Sequence, residues 1–179
     1  RFINNVLWEL YQEQDFFARD IEVVHQAGSS DFEALSKKIK MLPESVQSKI
    51  RFFEFIDDMP QFYNWCDVAI CRAGMGTVAE LSALSVPALF VPLPTAADNH
   101  QYKNAESLVH RHAAVLIEQK DFNISSLKKY LNQWLSDRSE LKGMSKKISE
   151  FYKPNAASEI ATSLIRYCPQ STIFESNLS

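Results

Sequence analysis

Between Asp20 and Ile117 short apolar runs alternate with segments of helical periodicity, and this alternation narrows the possible folds more than any other feature of the chain. Asp20–Gly28 is a β-branched run ending at glycine, and reads as a strand. Ile50–Ile56, Asp67–Ala73, Ala88–Val91 (between Pro87 and Pro92) and Ala113–Ile117 read the same way. Helical spacing fills the intervals at Asp31–Lys40, Met59–Trp65, Thr77–Leu84 and Asn99–His112. Phe2, Ile3, Val6, Leu7, Leu10 and Tyr11 form one apolar stripe before the first strand. From Ser125 onward the pattern is helical only, over Ser125–Trp134, Arg138–Phe151 and Asn155–Tyr167. Short apolar strands separated by helices imply parallel βαβ units with right-handed crossovers, covered on both faces. The expected fold is therefore α/β, a Rossmann-like doubly wound parallel sheet with C-terminal helices. Ligands of such sheets bind beyond the carboxyl ends of the strands, here the residues after Val24, Ile56, Ala73 and Val91.

Length and composition bound the rest. At 179 residues the chain suits one domain, expected over residues 1–167, with a polar, aperiodic tail over 168–179 that is expected to be mobile or loosely docked. Nineteen basic against 22 acidic residues leave a net charge of −3, without the basic excess of a nucleic-acid binder. The longest nearly unbroken apolar run, Val86–Leu93, contains two prolines and falls short of a membrane span, and no signal peptide is expected. Cys66, Cys71 and Cys168 form no CxxC pair, which favours a reducing cytoplasm over a disulfide framework. Arg1 enters in helical register with no cap before it, so the chain is expected to be a fragment cut just inside a helix.

The sharpest local pattern is Cys71-Arg72-Ala73-Gly74-Met75-Gly76-Thr77-Val78-Ala79-Glu80-Leu81, a strand, a glycine-containing turn and a helix expected to begin near Thr77. Glycines admit a ligand close to the backbone, and a fresh helix N-terminus offers unpaired N–H groups to a phosphate. Thr77 with Glu80 three residues on also fits an ordinary capping box, and spacing alone leaves the two readings level. Gly74-x-Gly76-x-x-Ala79 fits a dinucleotide fingerprint as well, but the acid wanted after the next strand is replaced by Val91-Pro92-Leu93-Pro94-Thr95. A second pattern, Pro92 through Ala105, is a loop leading into a helix. Its Asp98, His100, Gln101 and Asn104 could grip sugar hydroxyls, or Asp98 could simply cap the helix. A third, Asp57-Asp58-Met59-Pro60, reads better as an Asp N-cap with proline in the first turn than as a metal pair. The histidines have no zinc spacing, His110 and His112 being expected to diverge on one helix, and no metal or cofactor is expected.

Phe55-Ile56-Asp57-Asp58-Met59, then Cys71 through Leu81, then His100-Gln101-Tyr102-Lys103-Asn104-Ala105 occur in an order and spacing that closely resemble the C-terminal half of the MurG family, as do His25-Gln26-Ala27-Gly28 and Val86–Pro92. The resemblance covers roughly Arg1 to Tyr167. It implies the donor-binding half of a GT-B glycosyltransferase, which transfers GlcNAc from UDP-GlcNAc, with inversion, to the C4 hydroxyl of MurNAc in lipid I for peptidoglycan synthesis. By resemblance, the backbone of Ile56 would read the uracil, the turn from Met75 through Gly76 to Thr77 would hold the pyrophosphate, Glu80 would bind the ribose, and His100 with Gln101 the GlcNAc, with Val78 and Ala79 also among the donor-binding residues. The family's Gly-Gly-Ser turn would precede Arg1, Ala27 stands where a hydroxyl residue is frequent, and His100 where some members have Gln. The catalytic base, the lipid I site and the surface docking on the cytoplasmic side of the bacterial inner membrane belong to the family's other half. The fragment alone would then bind donor without transferring sugar. Two other readings stay open: a subunit of a split GlcNAc-transferase, and a dinucleotide-binding Rossmann domain.

Overall fold

The computed structural model describes residues 1–96 and 99–167. Helix α1 (Phe2–Tyr11) and the short α2 (Gln14–Phe17) lead into strand β1 (Val23–Gln26). Helices α3 (Ser29–Ile39) and α4 (Glu44–Gln47) follow, then β2 (Ile50–Phe53), α5 (Met59–Trp65), β3 (Ala69–Cys71), α6 (Met75–Ala83) and β4 (Ala88–Phe90). Helix α7 (His100–Val109), β5 (Ala114–Leu116), α8 (Ile124–Ser136), α9 (Ser139–Ser149) and α10 (Ala156–Tyr167) complete the order. The expected strands and longer helices are all present, with strands shorter than the apolar runs that announce them. The turns α2 and α4 were not expected, and α7 stops at Val109, so His112 lies beyond the helix, at positive φ (54°). The polar tail expected over 168–179 lies outside the described residues.

Every strand pair is parallel, as the βαβ alternation requires, but the ladders fall into two groups, β1-β2 and β3-β4-β5. Val23 pairs with Ile50 and Gln26 with Phe53; Ala69 pairs with Ala88, which pairs in turn with Ala114. Within each ladder the strands therefore end together, Gln26 beside Phe53 in one and Cys71, Phe90 and Leu116 in the other.

Two apolar clusters hold the layers together. One joins α1 (Val6, Leu7, Leu10, Tyr11) and α8 (Leu127, Trp134) to both ladders through Ile50, Leu89 and Val91. The other packs α6 (Val78, Leu81), α7 (Ala105, Leu108) and α9 (Ile148) on the opposite side, against Ala88 and Phe90. All three residues of β4 are buried, which matches its uninterrupted apolar run. At the opposite rim the chain turns into β4 through Ser85 (φ 59°), whose carbonyl accepts a hydrogen bond from the Ser145 hydroxyl at 2.7 Å.

One buried polar group interrupts the first cluster. His25 accepts from the Tyr11 hydroxyl at Nδ1 (2.9 Å), and its Nε2–H donates to Asn4 Oδ1 (3.0 Å). The Asn4 amide donates to the Ala27 carbonyl (2.9 Å) and to Asp31 (2.8 Å). Every partner is satisfied when the imidazole is neutral, which is the condition for burying it. Burial pushes the imidazole down to about 4.

Candidate functional site

The rim at the carboxyl ends of the strands is built by β3, β4 and the two helices that follow them. Helix α6 begins at Met75, two residues earlier than expected, and its N-cap is Gly74 in an extended conformation (φ −66°, ψ 147°) with no side-chain cap. Thr77 is therefore the third residue of the helix, and the Thr77–Glu80 capping box does not form. The first intrahelical donor is Val78, whose N–H reaches the Gly74 carbonyl at 2.9 Å. The amides of Met75, Gly76 and Thr77 have no helical acceptor, because a helix cannot supply one in its first turn. Among the described residues a Cβ placed on Gly76 would meet nothing within 4 Å, and Met75 is 65% exposed.

Val78 does not share in this. Its side chain is buried in the cluster under the helix, and its N–H is bonded to the Gly74 carbonyl. Ala79 and Glu80 are exposed on the outer face. Tyr63 of α5 lies nearby; burial, and then the charges of Cys71 and Glu80, push its phenol upward, which places α5 against the start of α6.

Helix α7 supplies the second set. Gln101 Oε1 accepts from the Leu93 N–H at 3.0 Å, which leaves the side-chain NH₂ as a donor. His100 precedes it in the first turn of α7, exposed. Asn104 donates to the Ala73 carbonyl at 3.0 Å and so ties α7 to the end of β3. Asp98 lies outside the described residues. No carboxylate occupies residues 91–96, directly after β4, where a dinucleotide fingerprint places its acid.

Ile56 lies beyond β2, at the end of the other ladder. Its side chain is 7% exposed, and its N–H donates to Gln26 Oε1 at 2.9 Å. The following Asp58 caps α5 through the Gln61 N–H (3.3 Å) with proline in the first turn, as the sequence predicts.

Arg72 escaped the sequence reading although it stands inside the quoted motif. Its guanidinium donates to the carbonyls of Val91 (2.8 Å) and Pro92 (3.0 Å) and to Gln119 Oε1 (2.7 Å), pinning the strand ends and the loop after β5. All three of these partners are neutral, and burial lowers the guanidinium's pKa. The thiols are inert by comparison: burial pushes Cys71 up to about 12 and Cys66 up to about 11. Among the described residues no group of three or more His, Cys, Asp or Glu could hold a metal ion, and no helix is long and apolar enough to cross a membrane. A concavity of about 420 Å³ bounded by Val109, His112, Tyr130 and Glu140 opens at the amino end of β5, away from this rim.

Residues 1–160 match the model of the glycosyltransferase family 28 C-terminal domain. The chain belongs to that family. Within the family 28 C-terminal domains, it is 41% identical over 166 residues to the UDP-N-acetylglucosamine–N-acetylmuramyl-(pentapeptide) pyrophosphoryl-undecaprenol N-acetylglucosamine transferase of Bdellovibrio bacteriovorus, covering 93% of this chain and 45% of that protein. The enzyme of the same name from Psychromonas ingrahamii is 40% identical over 149 residues, covering 82% of this chain and 40% of that protein. The crystal structure of Acinetobacter baumannii MurG superposes with a TM-score of 0.71 at 30% identity, over 88% of this chain and 48% of that one. The glycosyltransferase VinC, solved with dTDP, shares the fold at a TM-score of 0.63 and 22% identity, over 83% of this chain and 34% of that one. The family 28 chain thus spans about half the length of the curated relatives it matches, and its architecture is the Rossmann-like half of a GT-B glycosyltransferase.

Proposed function

We propose that this family 28 domain binds UDP-GlcNAc as the donor half of an inverting transferase, one that moves GlcNAc to the C4 hydroxyl of MurNAc in lipid I. The observation that carries the reading is the start of α6: three first-turn amides with no helical acceptor and no side-chain cap, and room for a Cβ at Gly76 among the described residues. A diphosphate is the ligand such a corner suits, since it can accept several N–H bonds where the helix dipole favours negative charge. The relatives' names, which specify an N-acetylglucosamine transferase, supply the donor and the acceptor.

In this reading the amides of Met75, Gly76 and Thr77 hold the pyrophosphate. Glu80, exposed on the second turn of α6, accepts from the ribose hydroxyls. Gln101 donates its free NH₂ to the GlcNAc, beside His100. The backbone of Ile56 reads the uracil edge. As the bond between the sugar C1 and the phosphate oxygen breaks, negative charge grows on UDP, and preorganised amides stabilise it without reorganising. The acceptor site, the base that deprotonates the C4 hydroxyl, and the docking surface for the cytoplasmic face of the inner membrane belong to the half of the relatives that this chain does not match. The chain alone therefore binds donor and transfers nothing.

Calorimetric titration with UDP-GlcNAc and with NAD tests this directly. Binding of UDP-GlcNAc, weakened about tenfold in Glu80→Ala, is the expected result, corresponding to the loss of one charge-assisted hydrogen bond. Binding of NAD but of no uridine nucleotide would reject the reading, and unchanged affinity in Glu80→Ala would remove Glu80 from the site.

A further inference from the structure

The hydrogen bond between Ile56 and Gln26 connects the ends of β2 and β1 across 30 residues of sequence. Backbone amides at strand ends usually find water or a ligand; this one is taken by a side chain that is itself exposed. The Ile56 N–H can only donate, so the atom facing it must be the carboxamide oxygen, and the adjacent NH₂ is a donor. A primary carboxamide thus carries an acceptor and a donor on neighbouring positions. The O4–C4–N3–H edge of uracil carries the same pair in the same order. Cytosine carries the reverse, an amino donor at C4 beside an N3 acceptor.

We propose that Gln26 is an internal stand-in for the nucleobase: in the unliganded chain its carboxamide caps the Ile56 amide, and a base with an acceptor–donor edge displaces it. The inference rests on the uridine reading above and extends it to a specificity-determining residue. The stand-in keeps a part-buried N–H satisfied while the site is empty, so the loop after β2 holds its shape before the ligand arrives. It also sets a threshold. A base that restores the acceptor on Ile56 exchanges one hydrogen bond for another, whereas a cytosine edge would place a donor against a donor and leave Gln26 in position.

The test uses the whole 179-residue chain, Gln26→Ala, and UDP and CDP as probes, with calorimetric affinity and hydrogen exchange at the Ile56 amide as readouts. In the unliganded wild type the Ile56 amide is protected; in Gln26→Ala it exchanges fast and regains protection when UDP is added. UDP binds Gln26→Ala roughly fivefold more tightly than wild type, the size of one competing hydrogen bond removed, while CDP affinity is the same in both. Equal exchange at Ile56 in the two unliganded proteins would overturn the proposal, as would weaker UDP binding to the variant, which would make Gln26 a direct contact of the base. Absence of UDP binding to both proteins, with the exchange difference present, would reject the uridine reading itself and the stand-in with it. Gln26→Met keeps the side-chain length without the amide and repeats both readouts if alanine unsettles the end of β1.

Discussion

His25 shows how one side chain can set a pH limit for the whole chain. Its imidazole is buried between Tyr11 and Asn4 and held down to about 4, against about 6.5 for a free histidine. Below pH 6.5 the unfolded chain takes up a proton that the folded chain refuses, so the stability that neutral His25 contributes is present above 6.5 and is lost as the pH falls towards 4. The shift corresponds to about 3 kcal/mol at most. Thermal melts between pH 7.5 and 4.5 should show a falling midpoint, and in His25→Gln that slope should flatten; an equal slope in the variant would place the acid sensitivity elsewhere. At this scale the sequence was only partly legible. Asp58 as an N-cap could be read from its neighbours, since Asp followed by proline is a local signal. The roles of Gln26 and Arg72 could not, because their partners lie 30 and 19 or more residues away and no spacing rule links them.

Among the elements, α6 joins fold and ligand most directly. Gly74 is extended with ψ 147°, the conformation that a residue before proline prefers. Met75 is the first helical residue, where proline's fixed φ is suited and its missing N–H costs the helix nothing. Met75→Pro should therefore leave the melting temperature unchanged or slightly higher, while deleting one amide from the proposed diphosphate site and weakening UDP affinity about tenfold or more. Calorimetry with a parallel melt separates the two effects, and full affinity in the variant would show that the Met75 amide is not used. Strands and long helices were legible because their apolar periods differ. The start of α6 was not, because Thr77 and Glu80 stand at capping-box spacing while the actual cap is a glycine with no side-chain signature. The four-residue turns α2 and α4 are too short to develop a period at all.

Across the whole molecule the architecture was legible from the alternation of strands and helices, but the division of the parallel ladders into β1-β2 and β3-β4-β5 was not, because pairing partners are set by tertiary packing. The proposed site draws on both groups, with Ile56 and Gln26 at the end of one, and α6 and α7 at the end of the other. The apolar cluster joining α1 and α8 to both groups is what keeps these two contributions in register. The opposite rim is free of them. There Ser85 and His112 hold left-handed backbone just ahead of β4 and β5, a conformation that glycine adopts without the strain a Cβ brings, about 1 kcal/mol per residue. That separation gives an engineer room to work: hardening the protein against heat at those two corners leaves the proposed nucleotide site untouched.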